Sequence, residues 1–265
     1  MIYVCIPSHN EAPTVGLLLW KIRQVFAAFP REYQLVVADD GSTDATAEVL
    51  APYARVLPLT ILRHDRREGY RRTVEELLRF AADRTDRPKR DCAILMHADF
   101  AHGPHYLPDL VRRIESGADM VVAEGSLSGE PSRGRRMLRR FAPMLLRGRV
   151  RVPGVSDVVS GFAAFRLVTL RNAFRDGKPS LLSAEGWAAN AELLGRAARH
   201  ARRIEAVPVV ERHDLRPRAS RVDAWVGARE LWREAGRLRL PDALPARAGA
   251  GSAAEPAGAE AGAAG

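Results

Sequence analysis

The chain is poor in cysteine, in lysine and in long apolar runs. Its two cysteines, Cys5 and Cys92, sit inside apolar segments with no Cys or His nearby at metal-ligand spacing. They are expected to be free, buried and inert, as in a reducing compartment. No stretch approaches eighteen continuous apolar residues, so no membrane-spanning helix is expected. Met1 leads directly into the strand-like IYVCI, without a basic segment ahead of an apolar one, so no signal peptide is expected either. There is no GxGxxG after the first apolar run and no GxxxxGK[ST], which speaks against a dinucleotide-binding Rossmann unit and against a P-loop. No internal repeat is present. The lysines are only Lys21, Lys89 and Lys178, so arginine carries nearly all of the positive charge.

What is present sets other bounds. The 265 residues are 46% hydrophobic, enough for one sizeable core with at most a small appendage. The net charge is +9 and the pI about 10.3. Such a field favours anionic partners: a nucleotide, a phosphorylated substrate, nucleic acid or a membrane surface.

Short, mostly apolar, non-alternating runs at Ile2–Ile6, Gln34–Ala38, Leu57–Leu62, Cys92–Met96 and Asp119–Ala123 read as strands covered on both faces. Helical periodicity fills the gaps, over Val15–Phe29, Ala45–Tyr53, Arg71–Ala82 and Leu107–Ser116. Strand alternating with helix predicts an α/β fold: a mostly parallel central sheet, right-handed crossovers and helices on both faces. Further along, Arg135–Leu146 reads as an amphipathic helix interrupted by Pro143. Asp157–Phe165 reads as a strand or extended entry, Val168–Phe174 and Glu185–Arg199 as helices, Ile204–Val210 as a strand and Val222–Leu238 as a last helix. From Pro241 the chain is alanine, glycine and proline with few charges, a tail expected to be disordered.

Open α/β sheets bind ligands at the carboxyl ends of their strands. Three of the strand-like runs end in polar chemistry: Pro7-Ser8-His9-Asn10-Glu11, Asp39-Asp40-Gly41-Ser42 and His97-Ala98-Asp99. Parallel pairing would gather them at one edge. Clustered carboxylates repel each other and call for a cation, an arginine or hydrogen-bond donors. A hard divalent ion would suit them and could bridge to phosphate oxygens; a carboxylate could also accept from a ribose diol or a base N–H. The ensemble suits a nucleoside diphosphate with Mn2+ or Mg2+ on its phosphates. Asp44 reads more simply as a cap for the helix beginning near Ala45. A zinc site from His97, Asp99 and His102 matches no strong metal signature.

These stretches carry a family resemblance. IPSHNEAPTVGLLL, VVADDGSTDAT and MHADFAHGPHYLPDLVRRIESGADMVVAEG resemble the nucleotide-sugar half of family 2 glycosyltransferases, within which the match is to dolichol- or polyprenol-phosphate mannosyltransferases. SDVVSGFAAFR, EGWAANAELLGRAAR and IEAVPVVERHDLRPRASR are similar to the second half of the same enzymes. The resemblance implies a GT-A fold, a nucleotide-sugar donor such as GDP-mannose or a UDP-hexose, a divalent metal and inversion at the anomeric carbon. It implies a catalytic domain over 1–221, followed by a C-terminal helix over 222–240 and a tail over 241–265. By the same resemblance Pro7, Asn10 and Glu11 hold the nucleoside. Asp39 contacts the base or ribose with Asp40 beside it. Asp99, joined by His97, holds the metal. Ser160 and Gly161 form the turn of the SGF segment, and Glu192 is an acid on the following helix. Arg216 or Arg218, with Ser220 and Arg221, resembles a late phosphate-binding loop, with Asp99, Arg216 and Arg221 stabilising the leaving diphosphate.

Several positions depart from the family pattern. The first acid of its DxD motif is His97, the glutamine after the second is Ala101, an aromatic after the first strand is His9, and its GLG segment reads Gly69-Tyr70-Arg71. Histidine ligates Mn2+ when neutral and is a poorer ligand for Mg2+. Between Pro131 and Ser156 there is no acidic residue but eight arginines from Arg133 to Arg151. Next to the apolar face of Met137–Leu145, this stretch fits a polyprenyl-phosphate acceptor or an anionic membrane surface, placing the protein in the cytoplasm or peripherally on the inner membrane face. It also fits a soluble phosphate acceptor or a merely solvated face. No aromatic platform interleaves with the arginines, which argues against nucleic acid. A phosphate acceptor needs no strong general base; for a hydroxyl acceptor Glu192 is the one late acid to consider, its simpler role being to orient an arginine. The competing readings are an inactive nucleotide-binding regulatory module, a nucleotidyltransferase lacking its expected glycine-rich basic loop, and a soluble natural-product glycosyltransferase.

Overall fold

The apolar runs become strands because each divides its side chains between two cores. A computed structural model describes residues 1–128, 146, 150–177, 179–212, 233, 234 and 238. Strands β1 (Ile2–Ser8), β2 (Tyr33–Asp39), β3 (Leu59–Arg63), β4 (Cys92–Leu95), β5 (Met120–Ser128), β6 (Ala163–Arg166) and β7 (Ile204–Arg212) are connected through helices α1 (Ala12–Ala28), α2 (Thr46–Tyr53), α3 (Tyr70–Arg84), α4 (Leu107–Glu115), α5 (Leu167–Asp176) and α6 (Gly186–Ala198). Among the described residues the strands form one seven-stranded sheet, ordered β3-β2-β1-β4-β6-β5-β7. β1 runs parallel to β2 and β4, and β2 parallel to β3. β6 is antiparallel to β4 and β5, and β5 is parallel to β7. The mostly parallel sheet and the helices on both faces follow the expectation from the sequence.

Alternation along β1 shows how the layers form. Val4 and Ile6 pack on the α1 and α4 side with Leu18, Leu19 and Ile22. Tyr3 and Cys5 face the opposite side, among Leu77 and Leu78 of α3 and Leu170 of α5. Each fully buried leucine or isoleucine contributes about 2 kcal/mol relative to exposure. Cys5 and Cys92 are buried and free, and they belong to different cores. Burial pushes both thiols up, so neither is a reactive thiolate.

Some boundaries move for identifiable reasons. α1 begins at Ala12 instead of Val15, because Pro13 sits in the first turn, where its missing N–H costs nothing, and the Glu11 carbonyl accepts from Thr14 and Val15 N–H. β3 begins at Leu59, after Pro58, whose carbonyl accepts from Leu35 N–H. Of the expected extended segment only residues 163–165 are strand, within β6, which runs on to Arg166. The preceding residues turn about Ser160, whose hydroxyl donates to the Ala123 carbonyl at 2.6 Å and accepts from Phe162 N–H. The expected helices over 135–146 and 222–238 lie outside the described residues except at Leu146, Arg233, Glu234 and Leu238, and the tail lies wholly outside them. Among the described residues no helix is long and apolar enough to cross a membrane.

Candidate functional site

Parallel pairing carries three polar strand ends to one edge. In register, Ser8 of β1 lies beside Asp39 of β2, and Asp39 beside Arg63 of β3. β4 stops at Leu95 opposite Cys5, and Met96 N–H still bonds the Cys5 carbonyl, so His97 to Asp99 emerge next to the end of β1. An open cleft results. Its walls are Pro7, Ser8, His9 and Glu11 from β1 and the loop after it, Asp40 from the end of β2, Arg67, Tyr70 and Thr73 from the approach to α3 and its first turn, and His97, Ala98 and Asp99 after β4.

Two loops are stitched together at the rim. Asn10 has a positive φ of 54°, and its Oδ1 accepts from Thr43 N–H at 2.7 Å and Asp44 N–H at 3.3 Å. Its own N–H donates to Ser42 Oγ. Glu11 N–H donates to Thr46 Oγ1, and the Glu11 carboxylate accepts from Thr14 Oγ1. Asp44 accepts from Thr46 N–H at the start of α2 and from Ala12 N–H at the start of α1; it stands one residue ahead of the N-cap, Ala45, and so ties the two helix starts together instead of occupying the cap position expected from the sequence. His9 Nδ1 lies 2.7 Å from the Asp40 carbonyl, which can only accept, so His9 carries its proton there.

Asp39 and Asp40 do different things. Asp39 is buried; its Oδ1 accepts from Ser42 N–H and its Oδ2 lies 3.8 Å from Arg63. Asp40 binds a wall segment: it accepts from His64 Nδ1 at 2.8 Å, Glu68 N–H at 2.7 Å and Gly69 N–H at 3.0 Å. Burial opposes its ionisation, but the bonds from His64 and the two amides outweigh burial and hold its carboxyl below the usual range. His64 also reaches Glu76 through Nε2 at 2.6 Å. Burial disfavours its charged form, but the two carboxylates prevail and raise its pKa. The wall lies so close to Gly41 that a Cβ there would stand 2.4 Å from Arg66 C and Arg67 N, and Gly41 has φ +60°.

On the other wall, Tyr70 stacks on His97 with ring centroids 5.3 Å apart and planes 7° apart. The Tyr70 hydroxyl lies 3.2 Å from His97 Nε2 and donates to Asn190 Oδ1 at 2.8 Å. Burial pushes the phenol up; the Asn190 bond partly offsets this and the charge of Asp99 adds to it. Gly161 faces this pair, and a Cβ on it would lie 2.0 Å from His97 Nε2. Asp99 accepts from Ala101 N–H.

Of the residues expected from the sequence, Pro7, Glu11, Asp40, His97 and Asp99 share the cleft, with Asp39 and Asn10 beside it. Arg216, Ser220 and Arg221 lie outside the described residues. Glu192 is fully buried and accepts from Ser183 and Ala184 N–H and from Arg196, the arginine-orienting role. Sequence reasoning missed Arg67, Thr73, His64 and Asn190. The end of β3 falls on the same edge as those of β1, β2 and β4, and that signal could have singled out the segment from His64 to Tyr70.

The resemblance implies Mn2+ or Mg2+. Among the described residues no group of three or more His, Cys, Asp or Glu could hold a metal. His97 and Asp99 bring an imidazole and a carboxylate to the cleft wall, beside His9, Glu11 and Asp40. If such an ion binds here, His97 and Asp99 would be the residues to hold it, and a nitrogen ligand would favour Mn2+ over Mg2+.

Comparison with known proteins agrees with this geometry. Residues 3–174 match the family described as "Glycosyl transferase family 2", and the chain belongs to that family. It is 27% identical over 170 residues to a dolichol-phosphate mannosyltransferase of Pyrococcus furiosus, covering 62% of this chain and 45% of the relative. It is 28% identical over 143 residues to an undecaprenyl-phosphate 4-deoxy-4-formamido-L-arabinose transferase of Pseudomonas fluorescens, covering 54% and 39%. The chain thus spans less than half the length of these curated relatives. Glucosyl-3-phosphoglycerate synthase from Mycobacterium tuberculosis, solved with Mn2+, UDP and glucosyl-3-phosphoglycerate, superposes with a TM-score of 0.60 at 20% identity, over 91% of this chain and 81% of that one. S. aureus TarS 1-349 with UDP-GlcNAc superposes with a TM-score of 0.53 at 18% identity, over 83% and 61%. The fold is of the GT-A, Rossmann-like kind.

Proposed function

We propose that this chain is an inverting glycosyltransferase that binds a nucleoside-diphosphate sugar in the cleft at the ends of β1, β2 and β4 and passes the sugar to an anionic acceptor. The observation that carries the reading is the gathering of Pro7, Glu11, Asp40, His97 and Asp99 around one cleft, in a chain of glycosyl transferase family 2. Asp39 and the loop through Asn10 and Glu11 meet the nucleoside. Asp40 acts by holding the Arg67 wall in place. Arg67, together with Arg216, Ser220 and Arg221, meets the diphosphate. A metal ion held by Asp99 and His97 would neutralise charge on the departing diphosphate. The acceptor oxygen attacks the anomeric carbon as the bond to the diphosphate oxygen breaks, and the electron pair leaves on that oxygen with inversion.

Two curated relatives are named for dolichol phosphate and undecaprenyl phosphate, and the segment 131–156 is rich in arginine, so the acceptor read first is a polyprenyl phosphate at the cytoplasmic membrane face. The two solved neighbours carry UDP or UDP-GlcNAc, which favours a UDP-sugar over GDP-mannose. The replacement of an acid by His97 favours one second reading, a nucleotide-binding module without turnover. The test is a transfer assay with radiolabelled UDP- and GDP-sugars against undecaprenyl phosphate in vesicles and against 3-phosphoglycerate. Label entering the organic phase supports the lipid acceptor; label on the soluble phosphate replaces it; donor binding with no transfer to either supports the module.

A further inference from the structure

Tyr70, Asn190 and Val159 form a chain of hydrogen bonds in which every proton can be placed. The Val159 carbonyl can only accept, so the Asn190 group 3.1 Å from it must be the amide NH2. That turns Asn190 Oδ1 toward Tyr70, and an amide oxygen has no proton to give. The Tyr70 hydroxyl therefore donates to it, at 2.8 Å. A phenol has one proton and this one is spent. Toward His97 Nε2, at 3.2 Å, the phenol oxygen can only accept, so Nε2 must carry hydrogen. The ring is further fixed by its stacking on Tyr70 and by the bare Cα of Gly161.

A carboxylate in place of His97 would offer two equivalent oxygens in any rotamer. A neutral histidine offers one electron pair, and its position depends on the tautomer. With Nε2 protonated, that pair is on Nδ1. We infer that Tyr70 and Asn190 are positioning residues that fix His97 in the Nε2–H form, making Nδ1 the nitrogen it presents to a divalent cation shared with Asp99. This rests on the donor chemistry proposed above. Two departures from the family pattern, histidine for its first acid and tyrosine within its GLG segment, thus act together, with Asn190 on α6 orienting the tyrosine.

The test uses the full chain labelled with 15N-histidine, at about pH 8, where an ordinary imidazole is neutral. Long-range 1H–15N spectra, assigned with His97→Gln, report the tautomer directly. Mn2+ is titrated by electron paramagnetic resonance, alone and with UDP or GDP. The expected result is a protonated Nε2 in the metal-free protein and selective broadening at Nδ1 when Mn2+ is added. Tyr70→Phe should mix the tautomers and weaken Mn2+ binding about tenfold or more, with UDP or GDP present. The Nδ1–H tautomer in the unmodified chain would overturn the inference, and that reading needs no variant to fold. So would an unchanged tautomer and unchanged Mn2+ affinity in Tyr70→Phe. Nucleotide binding with no Mn2+ effect at His97 would sink the inference and spare the donor reading; Mn2+ at Nδ1 without nucleotide affinity would do the reverse.

Discussion

At the scale of single residues, the site depends on what is missing as much as on what is present. Gly161 has no Cβ, and His97 occupies the space one would take. Gly161→Ala should drive the imidazole off Tyr70 and destabilise the fold by roughly 1–3 kcal/mol, the usual range for overpacking. Urea unfolding measures the loss, and the histidine spectrum should show His97 displaced; an unchanged His97 signal would mean the backbone gives way instead. Glu75 shows a different dependence. It is buried and accepts from Leu181 and Leu182 N–H, from Ser180 Oγ and from Arg79. Burial opposes its charge, but these bonds outweigh burial and hold its carboxyl below the usual range. Glu75→Ala strands those donors and should cost roughly 2–3 kcal/mol in urea unfolding.

At the scale of elements, the segment from His64 to Gly69 is held by charge. The pKa of His64 is raised, so its stabilising contribution is complete below the ordinary histidine range and fades as pH rises through the raised value. The pKa of Asp40 is lowered, so its contribution is present above the ordinary carboxylate range and fades as pH falls through the lowered value. The clamp is strongest between those limits. The stability difference between the native chain and His64→Gln should be steady at about pH 6 and shrink toward alkaline pH. A difference that stays constant through about pH 9 would show that the imidazolium is not what holds the wall.

At the scale of the whole molecule, the sheet was largely readable because parallel strands buried on both faces leave continuous apolar runs, as at Ile2–Ile6 and Cys92–Met96. The antiparallel placement of β6 was not, since four residues, Ala163–Arg166, carry no mark of direction. The acids at the strand ends were visible, because a polar cluster directly after an apolar run marks the carboxyl end of a strand in an α/β chain, where ligands bind. Their separate duties were not. Asp39 and Asp40 are adjacent in sequence, and only the position of His64 and the 68–69 amides distinguishes the carboxylate that holds a wall from the one at the β2–β3 register. The tyrosine, asparagine and glycine around His97 come from segments far apart in sequence, and nothing in the sequence joins them to one another.

On the function proposed here, this cleft binds a nucleotide sugar with help from Asp39 and Asp99. Isothermal calorimetry of UDP-glucose, UDP-N-acetylglucosamine and GDP-mannose, each with Mn2+, with Mg2+ and with chelator, tests it most directly. One donor is expected to bind, more tightly with Mn2+ than with Mg2+; Asp39→Ala should weaken binding at least tenfold, and Asp99→Ala should remove the gain from metal. No heat from any donor under any metal condition, in a chain shown to be folded, would contradict it.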